Sequence, residues 1–142
     1  MQAIDKFRIE PLEGGERSRL VFDGRASIEV DGIVLERQFQ CSRGYLVITS
    51  DDVPHEEMLH FYFLSEESEI LDELSLGQIY QSGILRNVVA HADDRLEFSF
   101  FGAEHWLLTI LDRPVPRPPS LFSSVRRKGW FQSHYLTLDK RE

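Results

Sequence analysis

The stretch DDVPHEEMLHFYFLS, residues 51–65, comes nearest to a catalytic signature in this chain. A zinc-protease helix carries H-E-x-x-H, with its two histidines four residues apart on one face. Here His55 and His60 are five apart. Five helical steps turn about 500°, so the two rings would stand about 140° apart and could not share a metal. In a strand, residues five apart point to opposite faces of the sheet. Asp51, Asp52 and Pro54 mark a turn, and Glu56 and Glu57 could open one short helical turn. LHFYFL then reads as a strand, because aromatic residues fit a pleated surface better than a helix. The stretch is a turn feeding a core strand, and no metal site is expected there.

Other chemistries find less support. His60, His91 and His105 lie in or beside predicted strands, and three histidines could hold zinc. In a meander, however, the turn after His91 and the turn before His105 fall at opposite ends of a strand of about six residues, or about 20 Å apart. Cys41, in QCSRG, has only Arg43 as a charged neighbour and no adjacent base, so it reads as a small strand residue. There is no G-x-S-x-G elbow, phosphate loop or dinucleotide glycine pattern. No cofactor is implied and no catalytic residue is assigned. Carboxylates are plentiful, but most occupy turns, where they are solvated and keep ordinary acidity. A carboxylate buried beside His60 in a deep pocket would be the sign of an enzyme. The loops 51–57 and 92–94 are expected to gather at one end of the meander, as an acidic patch. Asp51, Asp52, Glu56, Glu57, Asp93 and Asp94 are the candidate partner-binding residues.

Composition narrows the class further. A chain of 142 residues, 42% hydrophobic, has room for one domain with a full core. Its 28% charged content predicts solubility, and ten Phe, four Tyr and two Trp argue against disorder. No run approaches the roughly 20 apolar residues of a membrane span. The opening MQAIDKFRIE is charged and alternating, unlike a signal peptide. A single cysteine rules out an internal disulfide, so a cytoplasmic setting is expected. Charge is unevenly spread. Residues 1–112 carry 9 Lys and Arg against 22 Asp and Glu, whereas residues 113–142 carry 7 against 2, giving the net −8 of the chain. An acidic body repels nucleic acid and attracts basic partners. The basic tail could fold back on that body.

The elements that must position these residues are strands. Asp-Gly occurs at 23–24 and 31–32, the second between ASIEV and IVLERQF, a strong hairpin signal. SRG at 42–44, SEES at 65–68, Asp93-Asp94 and FGAE at 101–104 supply further turns between alternating segments. About nine short strands at regular spacing predict an all-β antiparallel meander, closed as a sandwich or a partly closed barrel. At most one or two short helical turns are expected, near 54–57 and 74–80. RPVPRPP, residues 113–119, reads as an extended connector to the basic segment 120–142, because proline cannot donate to a ladder. WFQSHYLTL beyond it reads as a terminal strand. LHFYFL and HWLLTIL are apolar on both faces, unlike a one-sided sheet. The tail, a short helix or a second copy of the chain must cover the extra face.

GILRNVVAHADDRLEFSFFGAEHWLLTIL and YLVITSDDVPHEEMLHFYFLS resemble segments of small β-rich bacterial proteins of uncharacterised function, over residues 25–112. In style the chain also resembles immunity proteins of bacterial toxin systems, which are small, acidic and poor in cysteine. That resemblance implies a non-catalytic cytosolic module that binds a basic protein, as an inhibitor covers a nuclease. The alternative is a small barrel holding a hydrophobic ligand against Phe61, Phe63, Phe98, Phe100 and Trp106. The same side chains would make an ordinary core, since small barrels fill with side chains.

Overall fold

Alternating segments and doubly apolar ones both fold as strands, and nearly every described segment is one. The computed structural model describes residues 1–22, 28–52, 57–77, 84–92, 94–100, 104–116, 125–127 (backbone only) and 133–141. In chain order the strands are β1 (Gln2–Ala3), β2 (Phe7–Pro11), β3 (Arg17–Phe22), β4 (Ile28–Asp31), β5 (Val34–Cys41) and β6 (Gly44–Ser50). Then follow β7 (Met58–Ser65), β8 (Ile70–Gly77), β9 (Arg86–His91), β10 (Arg95–Ser99), β11 (His105–Pro116), β12 (Val125–Arg127) and β13 (Ser133–Arg141). Among the described residues there is no helix, and so none long and apolar enough to cross a membrane.

The strands form three antiparallel sheets, ordered β1-β5-β6-β7-β8-β12, β13-β11-β10-β9 and β2-β3-β4, and none closes into a barrel. The six-stranded sheet is the middle layer. One face presents Leu46, Ile48, Leu59, Phe61, Phe63 and Leu74 to Leu96, Phe98, Trp106 and Leu108 of the four-stranded sheet. The other face presents Tyr45, Val47, Tyr62 and Leu64 to Phe7, Leu20 and Val30 of the three-stranded sheet. This explains why LHFYFL is apolar throughout. Its second face is covered by the N-terminal strands, whose contribution the sequence reading missed, rather than by the tail, a helix or a second copy. The five aromatics of the ligand-barrel alternative are side chains of the packed core between two open sheets.

The Asp31-Gly32 pair is the main topological correction. It does not close a hairpin, because β4 pairs with β3 and β5 pairs with β6. Instead it hands the chain from the three-stranded sheet to the middle one. Gly32 has φ +94, and a Cβ there would lie 2.6 Å from Thr49 Oγ1. Only glycine fits both the left-handed backbone and the close approach. Around it, Ser18 O–H donates to Gly32 O, Ile33 N–H to Ser50 O, and Thr49 O–H to Asp31 O. These bonds weld the layers at the crossover.

The C-terminal segment also differs from expectation. β11 runs through Pro116, which pairs with Ser133, although its register with β13 breaks between Ile110 and Val115. The prolines are tolerated because β10 pairs β11 only as far as Thr109, and among the described residues no strand pairs with that side of the extension. The basic segment does fold back: β12 adds to the edge of the middle sheet beside β8, and β13 to the edge of the four-stranded sheet. Of the two helical turns expected, 54–56 and 78–80 lie outside the described residues, and 74–77 belong to β8.

Candidate functional site

Three carboxylate residues gather where β6 ends and β7 begins. Asp51 and Asp52 follow β6, and Glu57 returns immediately before β7. Glu57 Oε1 accepts from Asp51 N–H at 3.1 Å and Asp52 N–H at 3.0 Å, tying the two ends of the connection together. Asp52 adopts φ 57, a left-handed position that aspartate tolerates better than most residues. On the Leu59 side of the sheet, this corner borders a half-open cleft of about 220 Å³. Its walls are Val34, Leu59, Leu85 and Phe100, with Ile84, 63% exposed, at the rim. Glu36, Asp52 and Glu57 supply three carboxylates, and Ser50 O–H donates to Glu36 Oε2 at 3.0 Å. Among the described residues no Lys or Arg forms an ion pair with these three. Burial pushes the Glu57 carboxyl above its ordinary value; the two amides oppose that rise, and the charges of Asp51 and Asp52 add to it.

The opposite face of the same corner carries a different arrangement. Thr49, His60 and Ser75 are cross-strand neighbours on β6, β7 and β8. His60 Nε2 lies 2.7 Å from Asp51 Oδ1, and its Nδ1 lies 2.7 Å from Ser75 Oγ. In the neutral ring Nε2–H donates to Asp51 while Nδ1 accepts the Ser75 hydroxyl; a charged ring donates at both nitrogens, and the hydroxyl rotates to accept. Nearby, Asp31 N–H donates to Tyr62 Oη, and Arg17 pairs with Asp31 at 3.3 Å. Burial raises the Tyr62 hydroxyl and the Glu73 carboxyl above their ordinary values, with Arg17 working against both rises.

Serine, histidine and aspartate in hydrogen-bonded sequence are the parts of an acyl-transfer triad. Here their exposure runs the wrong way. The hydroxyl that would attack belongs to Ser75, 7% exposed, whereas the orienting carboxylate of Asp51 has a side chain 27% exposed. Neither His60 nor Ser75 lines the cleft. As arranged, the trio fastens β7 and β8 to the β6–β7 corner. No sequence motif marks residues 51, 60 and 75, yet one signal was readable: His60 is a polar residue within the apolar run LHFYFL.

Of the six candidate partner-binding residues, Asp51, Asp52 and Glu57 come together at this corner, while Glu56 and Asp93 lie outside the described residues. Asp94 is elsewhere. It is buried, its carbonyl accepts from Ile110 N–H, and its Oδ1 approaches Ser42 N at 3.4 Å in the β5–β6 turn. The seven residues of β6 therefore separate it from Asp51, about 23 Å. The two loops do not share an end, because they belong to different sheets. His91 and His105 occupy opposite ends of β10, facing Arg95 and Ser99, and His105 Nδ1 lies 3.2 Å from Ser99 Oγ. Among the described residues no three metal-binding side chains cluster. Cys41 is buried, which with the Asp94 charge pushes its thiol up to about 12.

Compared with protein-family models, with curated proteins and with solved structures, the chain matches none.

Proposed function

We propose that this chain is a non-catalytic, cytosolic protein-binding module that takes a basic partner, in the manner of an inhibitor or immunity protein. The observation that carries the reading is the cleft at the β6–β7 corner, where Glu36, Asp52 and Glu57 join apolar side chains in the lining. A long cationic side chain matches it in both chemistries: its methylenes suit Leu59 and Phe100, and its charge suits the carboxylates. Holding Glu57 ionised in a partly buried place is unfavourable, and burial accordingly pushes its pKa above the ordinary value. A partner's ammonium or guanidinium relieves that cost. The net charge of −8 would speed the encounter.

The test is binding of an oligoarginine peptide to wild type, Glu57→Gln and Glu66→Gln, followed by calorimetry at low and high salt. Both substitutions remove one charge, but Glu66 sits in the β7–β8 turn, away from the cleft. Loss of a desolvated charge pair costs about 1.4 kcal/mol or more, a tenfold weakening. Glu57→Gln should show it and Glu66→Gln should not. Equal weakening by both would mean diffuse attraction to an acidic surface, and the cleft would lose its role.

A further inference from the structure

β7 passes the cleft and the Asp51–His60–Ser75 trio on opposite faces, one residue apart. Leu59 forms a wall of the cleft, and His60 points the other way, 5% exposed, between Ser75 and Asp51. Asp51 belongs to both arrangements. Its side chain holds His60, while its backbone N–H, with that of Asp52, holds the Glu57 carboxylate. The path from a buried imidazole to a cleft carboxylate thus consists of contiguous hydrogen bonds within one short connection.

We propose that His60 is the positioning residue of the cleft: by fixing the Asp51 side chain it fixes the two amides that hold Glu57 in the cleft lining. This rests on the reading of the cleft as the binding site. It assigns the buried histidine a task that packing alone does not explain. A connection bearing two adjacent aspartates and a returning glutamate is self-repelling. Its carboxylates would spread into solvent unless anchored. His60 anchors one, and the amides that follow anchor another. Ser75 completes the anchor by satisfying the second ring nitrogen, so the ring orientation is fixed from behind. Of the charged groups on neighbouring strands, Glu73 on β8 interacts with His60, and Arg17 on β3 interacts in turn with Glu73.

Asp51→Asn and Asp51→Ala separate positioning from charge. Both remove one negative charge, but asparagine keeps an oxygen that can accept from His60 Nε2–H, and alanine does not. Two quantities are measured on folded protein: oligoarginine affinity, and the titration of the Glu57 carboxyl followed by NMR. A freed side chain must be re-ordered on binding, which weakens affinity about three- to tenfold. Asp51→Ala should therefore bind about fivefold more weakly than Asp51→Asn. Its Glu57 should also titrate nearer the ordinary value, because the released side chain becomes solvated. Ser75→Ala, which changes no charge, should move both readouts in the same direction by a smaller amount. Identical affinity and identical Glu57 titration in the Asn and Ala variants would overturn the proposal. If oligoarginine fails to bind even wild type, the binding reading falls, while the Glu57 titrations still decide whether His60 positions that side chain.

Discussion

Replacing Asp72 with alanine should unfasten the C-terminal strand, and the cost can be worked from the contacts. Asp72 sits on β8, 2% exposed, and reaches out of the middle sheet into the four-stranded one. Its Oδ2 accepts from Tyr135 N–H at 2.9 Å and Leu136 N–H at 2.8 Å, and its Oδ1 from Glu73 N–H at 2.8 Å. The need arises from the break in β11–β13 register. Pairing runs Ile110 with Leu136, then resumes with Val115 and His134, leaving Tyr135 without a register partner on β11. Alanine strips the two β13 amides of this acceptor. Losing an acceptor costs a buried donor such as the Leu136 amide up to about 1–3 kcal/mol and the half-buried Tyr135 amide less, while the removed carboxylate no longer needs desolvating. A net loss of about 3 kcal/mol follows. Asparagine can turn one oxygen to the amides but then presents its NH2 group to the Glu73 N–H, so it should lose about 1–2 kcal/mol. Urea unfolding at neutral pH measures both. With a slope of about 2 kcal/mol per molar, the alanine midpoint should fall by about 1.5 M. Hydrogen exchange should show Tyr135 and Leu136 losing protection before Leu46 or Phe61. An alanine variant within 1 kcal/mol of wild type, with those two amides still protected, would refute the reasoning.

Other outcomes follow from the same contacts. Cys41, with its thiol at about 12, should resist iodoacetamide at pH 8 in folded protein and react at once in denaturant. Ser75 should not label with a fluorophosphonate probe; labelling abolished by His60→Gln would instead make the trio catalytic and overturn the non-catalytic reading. Glu73, raised by burial from its ordinary 4.5, takes up a proton more readily in the folded state than in the unfolded chain. The stability it adds is therefore full below pH 4.5 and lost as pH rises through its folded value; relative to Glu73→Gln, wild type should weaken across that window and then level off, measured by thermal melts. A Cβ at Gly44 would lie 1.8 Å from the Leu64 carbonyl oxygen, so Gly44→Ala must push β6 from β7 and should cost about 2–3 kcal/mol or prevent folding.

Strand content, the antiparallel turns and the absence of familiar catalytic motifs were legible in the chain itself. Period-two alternation is local, and so are SRG, SEES and the turns around β10. The doubly apolar LHFYFL even announced that β7 lies between two layers. What covers it was not legible, because a buried face records the need for a partner and not its identity. Only packing showed that β2, β3 and β4 cover it. The Asp31-Gly32 pair makes the same point: a left-handed glycine allows a sharp change of direction, but whether the next strand pairs with the last or crosses to another sheet depends on distant neighbours such as Thr49. The candidate site was half legible for this reason. Asp51, Asp52 and Glu57 are close in sequence, and a single connection keeps them together. Asp94 was misplaced because its turn belongs to a different sheet. His60 and Ser75, fifteen positions apart, met only through the β7–β8 register, a long-range fact that no local pattern encodes.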